Sequence, residues 1–286
     1  MRFVLTLRKT AIVVAGQNTA LSTKHQTGRE VAGAEQRPVY CAVPDSANTV
    51  VVSDAHLGRK PGEVTETFHR FLETVPHLGD HLLINGDLFE FWFAYRSVIP
   101  RAGFQTLAAL ARVRGAGVRL TVTGGNHDRW GADFWKRELD AAFHMGTAEL
   151  DIGGRRAWVA HGDDSALEDP AGRLMRAVTG HRLTARAFHW LHPDLAFWLI
   201  GRVSARLATR KYDDDIIRRS AAAQARYAHW LLAERPELDL VILGHTHAPT
   251  LEVHGEGRWY LNPGAWMDGY RYALISSAGP ELRCFR

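Results

Sequence analysis

The stretch Thr49–Leu57, TVVVSDAHL, decides how the rest of the chain is read. Val50, Val51 and Val52 are apolar and β-branched, the composition of a strand covered on both faces. Ser53 breaks the run, and Asp54 and His56 follow with one residue between them. Alternate residues of an extended chain share a face, so both side chains are expected to point at one spot. A carboxylate oxygen beside an imidazole nitrogen suits a divalent transition metal. Alone, Asp-x-His fits a polar strand end equally well.

The same pattern recurs along the chain. Glu63 to His77 carries Val64, Phe68, Phe71, Leu72 and Val75 at helical spacing, which predicts a helix returning over the sheet. Leu82–Ile84 reads as a second strand, ending in Asn85-Gly86-Asp87. Ala102–Val113 reads as a second helix, closed by Gly115 and Gly117. Val118–Val122 is a third strand and ends in Gly124-Gly125-Asn126-His127-Asp128; a helix is expected over Phe134–Phe143. Ala157–Ala160 ends in His161-Gly162-Asp163, and Leu240–Leu243 ends in Gly244-His245-Thr246-His247. Trp259–Leu261 and Tyr272–Ile275 read as closing strands. In α/β sheets, sites form where loops converge beyond the carboxyl ends of strands. Five such loops with metal-ligand chemistry at their tips are not explained by packing.

Composition narrows the class. A chain of 286 residues, 46% of them hydrophobic, holds one large α/β domain or a domain with an insertion. No apolar run reaches the roughly 18 residues of a membrane span. The N-terminus lacks the long apolar region of a secretory signal. Cys41 and Cys284 form neither a disulfide framework nor a metal motif. A cytoplasmic protein is expected. Residues 1–47 show little periodicity and are read as a disordered extension preceding a domain over 48–286. The net charge of +4 is uneven: residues 164–235 hold 12 Lys/Arg against 8 Asp/Glu, while the remainder of 48–286 is net acidic. That is not the footprint of a nucleic-acid binder.

The blocks SDAH, NGD, GNHD, HGD and GHTH, in this order, resemble the calcineurin-like metallophosphoesterases, over residues 49–286. The resemblance implies an α/β fold, a four-layer α/β/β/α sandwich, holding two divalent metal ions. Mn²⁺ is the first choice, with Fe²⁺ or Zn²⁺ as alternatives, because imidazoles prefer such metals to Mg²⁺. By the same resemblance Asp54, His56 and His247 hold one metal, Asn126, His161 and His245 the second, and Asp87 bridges them. The implied mechanism is attack on phosphorus by a metal-bridging hydroxide. His127 is implied as general acid or transition-state donor, and Glu90 as the carboxylate that orients it. Asp128 reads either as part of the site or as a loop cap.

Residues 164–235 interrupt the ligand loops and read as a helical lid insertion. Arg173, Arg176, Arg182, Arg186, Arg202, Arg206, Arg210 and Lys211 alternate with Phe188, Trp190, Phe197 and Trp198. Basic amphipathic helices of this kind lie on anionic membrane surfaces or cover a lipid phosphate; a packed cap with a solvated Arg face fits the same pattern. GDLFEFW, HGD followed by Glu168-Asp169-Pro170, GHTH followed by APT, and LNPGAW resemble the UDP-2,3-diacylglucosamine diphosphatases of lipid A synthesis. This closer resemblance implies hydrolysis of a lipid-linked nucleotide sugar to UMP and 2,3-diacylglucosamine 1-phosphate, peripherally on the inner face of the cell membrane. It implies substrate contacts from Asn126, His127, Asp169 and His245. That family commonly carries Arg where this chain has His127; Arg clamps a phosphate, whereas His donates a proton. The rival readings are a phosphodiesterase or phosphatase for another lipid or nucleotide, and a non-catalytic metal-binding scaffold.

Overall fold

The alternation of side chains along the first strand sets up the layers. The computed structural model describes residues 48–58, 62–131, 133–165, 181–208 and 214–286; the extension 1–47 and Asp169 lie outside them. β1 (Thr49–Val52) is buried throughout. Val50 and Val52 enter one apolar cluster and Val51 another, on the opposite face. β2 (His81–Asn85) repeats the split, with Leu82 and Ile84 on the first side and Leu83 on the second. A strand buried on both faces must be sandwiched, and these are.

β3 (Arg119–Gly124), β4 (Ala142–Met145), β10 (Arg271–Ser276) and β11 (Gly279–Cys284) complete a six-stranded sheet in the order β11-β10-β1-β2-β3-β4. β1 to β4 run parallel, and β10 joins β1 antiparallel. Five strands make the second sheet: β5 (Ala148–Ile152), β6 (Arg155–Val159), β7 (Leu240–Ile242), β8 (Thr250–Val253) and β9 (Trp259–Asn262), in the order β5-β6-β7-β9-β8. Val51, Leu83, Ala273 and Ile275 meet Val159, Leu240, Ile242 and Leu261 between the sheets. α1 (Glu63–Leu78) and α2 (Phe104–Gly115) cover the first sheet with Phe68, Phe71, Leu72, Leu107 and Leu110. α6 (Asp214–Glu234) covers the second, where Ala228, Leu231 and Leu232 pack on Val241, Leu243 and Tyr260. The order is the expected α/β/β/α.

Two details of the helices differ from the sequence reading. The helix expected over Phe134–Phe143 is α3 (Phe134–Leu139); Asp140 takes φ 45°, which ends it, and β4 follows as an edge strand beside β3. Within 164–235, α4 (Arg182–Trp190) and α5 (Pro193–Ala208) are separate from the sheets' own covering, whereas α6 forms an outer layer of the sandwich. Pro193 occupies the first turn of α5, where its missing N–H costs nothing. Among the described residues no helix is long and apolar enough to cross a membrane.

His81 gives the fold a pH dependence. Its ring bridges three strands, Nδ1 facing Thr49 Oγ1 at 3.2 Å and Nε2 facing Thr121 Oγ1 at 2.9 Å. Burial, then the Arg119 charge, push its pKa down to about 4. The fold therefore prefers the neutral ring, while the unfolded chain protonates near the ordinary value of about 6.5. Stability from this group is complete above that value and falls as pH drops towards 4, by about 3 kcal/mol. Urea unfolding at pH 7 and pH 4 is expected to show that loss in the wild type beyond the loss in His81→Gln; equal losses would assign the acid sensitivity elsewhere.

Candidate metal centre

The parallel strands β1, β2 and β3 of one sheet and β6 and β7 of the other deliver their carboxyl ends to a common edge. Asp54 and His56 follow β1, Asp87 follows β2, Asn126 and His127 follow β3, His161 follows β6, and His245 and His247 follow β7. Asp54 and His56 converge by a route other than the expected extended alternation. β1 ends at Val52, and Asp54 and His56 take φ of 53° and 44°. Asp87, His245 and His247 are also left-handed, with φ of 51°, 67° and 58°. Such conformations are rare outside glycine and cluster at functional sites. The loops hold them by zipping beyond the strands: His56 N donates to Asp87 O at 2.9 Å and Leu57 N to Leu88 O at 2.9 Å. Gly125 lets the third loop close in, since a Cβ there would stand 2.1 Å from Asp87 Oδ1.

The donor atoms face one another. Asp54 Oδ2 accepts from Ser53 Oγ at 2.5 Å and His245 N at 3.0 Å. Asp54 Oδ1 is left facing His247 Nε2 at 3.5 Å, His161 Nε2 at 3.9 Å and His56 Nε2 at 4.0 Å. Asp87 lies between the two sets: its Oδ2 is 3.3 Å from His161 Nε2 and 3.7 Å from His56 Nε2, and its Oδ1 accepts from His127 N at 2.9 Å. Three groups each bring one donor per residue within 4.8 Å: Asp54 with His56 and His247, His56 with Asp87 and His127, and Asp87 with His161 and His245. Asp54 Oδ1, Asn126 Oδ1 and His161 Nε2 are buried with no hydrogen-bond partner. Buried polar atoms without partners are rare in folded proteins, and a convergent set of them fits cations.

The rings are held from behind. His161 Nδ1 faces Asn85 O at 3.0 Å, His247 Nδ1 faces Asp268 Oδ2 at 2.9 Å, and His56 Nδ1 faces Glu90 Oε2 at 3.2 Å. An oxygen acceptor at Nδ1 keeps the proton there and leaves the lone pair on Nε2, the arrangement of metal-ligating histidines. The Glu90 carboxylate thus reaches His56, and His127 Nδ1 instead faces the Glu90 main-chain oxygen at 2.6 Å. The bridge between Leu57 and Phe89 sets the neighbouring Glu90 beside His56. Asp268 was not singled out in the sequence; its only signal is an acidic residue two positions after LNPGAW. Asp128 caps the loops, accepting from the backbone N–H groups of Asp87, Leu88 and Gly125.

Electrostatics favour positive charge here. Burial opposes ionisation of Asp54 and Asp87, but the surrounding histidines together outweigh it, His161 and His247 at Asp54 and His161, His127 and His56 at Asp87, and hold both carboxyls below their ordinary range. Burial likewise opposes a charged His247, yet the Asp268 and Asp54 carboxylates push its pKa up to about 10.

Residues 47–249 match the family model described as calcineurin-like phosphoesterase. The chain belongs to this family. It is a metal-dependent phosphoesterase. Proteins named UDP-2,3-diacylglucosamine hydrolase are similar along most of its length. That of Porphyromonas gingivalis is 28% identical over 241 residues, 78% of this chain and 91% of the relative. That of Klebsiella pneumoniae is 27% identical over 229 residues, 76% and 90% of the two chains. A solved structure of vacuolar protein sorting 29 from Cryptosporidium parvum is 14% identical, with a TM-score of 0.44, over 84% of this chain and 92% of that one.

Beside the phosphoesterase centre stands an aromatic wall. Phe91 and Phe93 follow Glu90, and Trp130 follows the His127 loop. Phe188 of α4 packs 6.1, 5.8 and 5.4 Å from these three rings, and Phe197 of α5 lies 5.3 Å from Phe91. Trp190 and Trp198 on the same two helices are exposed.

Proposed function

We propose that this phosphoesterase hydrolyses the pyrophosphate of UDP-2,3-diacylglucosamine, adding water across the P–O–P link to release UMP and 2,3-diacylglucosamine 1-phosphate. The observation that carries the substrate is the aromatic wall of Phe91, Phe93, Trp130, Phe188 and Phe197 next to the donor cluster. A soluble nucleotide has no need of it, whereas acyl chains do.

Asp54, His56 and His247 would hold one divalent cation, Asn126, His161 and His245 a second, and Asp87 both; Mn²⁺ suits this mixed set of carboxylate, amide and imidazole donors, as Fe²⁺ or Zn²⁺ also would. When bound, the cations activate water and neutralise phosphoryl charge. The chain does the rest. Asp87 offers a carboxylate shared by the two donor sets, and Asn126 adds an oxygen without adding charge. His127 is fixed through Nδ1 by the Glu90 carbonyl; as an imidazolium it hands its Nε2 proton to the departing oxygen and is left as the neutral ring. Glu90 serves this step through its main chain and steadies His56 through its carboxylate. Asn126, His127 and His245 contact the phosphates, and Asp169 contacts the nucleotide sugar. The helices of 182–208, as a lid, shelter the acyl chains and rest on the anionic inner face of the cell membrane through Arg and Trp side chains.

The test is hydrolysis of UDP-2,3-diacylglucosamine by Mn²⁺-loaded protein beside bis-p-nitrophenyl phosphate. UMP release far faster than diester cleavage is expected, with Phe197→Ala slowing only the lipid substrate. Diester turnover alone would reject this substrate and keep the metal reading.

A further inference from the structure

Gln224 lies in the middle of α6, fully buried, on no catalytic motif. Its side chain is used on every side. Nε2 donates to Gly244 O at 3.0 Å and to Gly162 O at 3.5 Å. Oε1 accepts from Thr246 Oγ1 at 3.1 Å, Tyr260 OH at 3.0 Å and Asn262 Nδ2 at 3.0 Å. The two carbonyls fix which end of the amide is nitrogen, since only N–H can face them. Gly162 follows His161, Gly244 precedes His245, and Thr246 stands between His245 and His247. One amide therefore grips both ligand loops of the second sheet. Asn262 Nδ2 repeats the grip on Gly244 O at 3.2 Å, and Gly244 N donates to His161 O at 2.7 Å. The approach is close: at Gly162, with φ 104°, a Cβ would stand 2.5 Å from Gln224 Nε2.

We infer that Gln224 is a positioning residue of the metal centre, setting His161, His245 and His247 as one unit against Asp54 and Asp87 of the first sheet. This rests on the two-cation reading above. Packing alone does not call for it: α6 already buries Ala228, Leu231 and Leu232 on the second sheet, and a leucine at 224 serves that purpose. A buried amide with its acceptors and donors all met specifies geometry that an apolar side chain does not.

The experiment compares wild type with Gln224→Glu, Gln224→Leu and Tyr260→Phe, measuring Mn²⁺ affinity and stoichiometry of the metal-free proteins by calorimetry, then kcat and KM for bis-p-nitrophenyl phosphate. Gln224→Glu keeps the size and the acceptor side but loses the N–H groups that hold the two carbonyls. Both Gln224 variants are expected to weaken Mn²⁺ binding about 10- to 100-fold, the range for residues that orient ligands. They should lower kcat with KM little changed, and excess Mn²⁺ should restore part of the loss. Tyr260→Phe, which leaves the carbonyl grip intact, should stay near wild type. A folded Gln224→Glu protein with wild-type Mn²⁺ affinity and kcat overturns the inference; if Gln224→Leu does not fold, Gln224→Glu decides. A wild type that binds no Mn²⁺ overturns the metal reading instead.

Discussion

Asp87→Ala loses at least one metal ion and turnover falls by about 10³-fold or more, the several kcal/mol that cation-based stabilisation supplies. Asp87 is 2% exposed, and its Oδ2 faces His161, His56 and His127. Its removal takes away the one carboxylate common to two of the three donor groups, and it frees the backbone N–H of His127. Asp87→Asn separates these effects. The amide oxygen keeps the hydrogen bond to His127 N but lacks the charge, so metal content should fall while the loop stays in place. Elemental analysis after gel filtration, beside diester hydrolysis, reads both. Near-normal turnover with two metals per chain would remove Asp87 from the bridging role.

His127→Ala should keep its metals and still lose 10²- to 10⁴-fold in turnover, the range typical of a general acid or base. The geometry separates this ring from its neighbours. His127 Nε2 stands 4.0 Å from Asp87 Oδ2, farther than His161 or His56, and its side chain is 29% exposed against 1% and 5% for those two. A ring anchored at Nδ1 and open at Nε2 is placed to exchange a proton with a bound phosphate. His127→Arg, whose guanidinium gives up no proton, should lose turnover to a similar extent. His127 also belongs to a close donor group with His56 and Asp87. If metal content falls in step with activity in His127→Ala, the ring is a ligand, and the acid must be sought elsewhere.

Much of this was legible in the letters, for physical reasons. Val50, Val51 and Val52 announce a strand buried on both faces because each side needs apolar cover. Ligands are legible because few residue types bind metals, so Asp, Asn and His at strand ends stand out. Their supports do not. Asp268 behind His247, Gln224 behind Gly162 and Gly244, and Arg129 paired to Asp163 at 2.7 Å are common residues whose meaning comes from partners far away in sequence. Glu90 was legible as a participant, but which histidine its carboxylate meets depends on how two loops pair. β4, β5, β8 and β11 were missed because edge strands expose much of their length and carry no continuous apolar run.

The left-handed backbone at Asp54, His56, Asp87, His245 and His247 means that these short motifs are not portable. An isolated peptide with the same letters relaxes to right-handed or extended backbone, and its donors splay apart. Grafting the five blocks onto another α/β scaffold would transfer the alphabet of the centre without its shape. What has to be transplanted is the inter-loop zipping and the small buried residues that force each turn, and those are spread across both sheets.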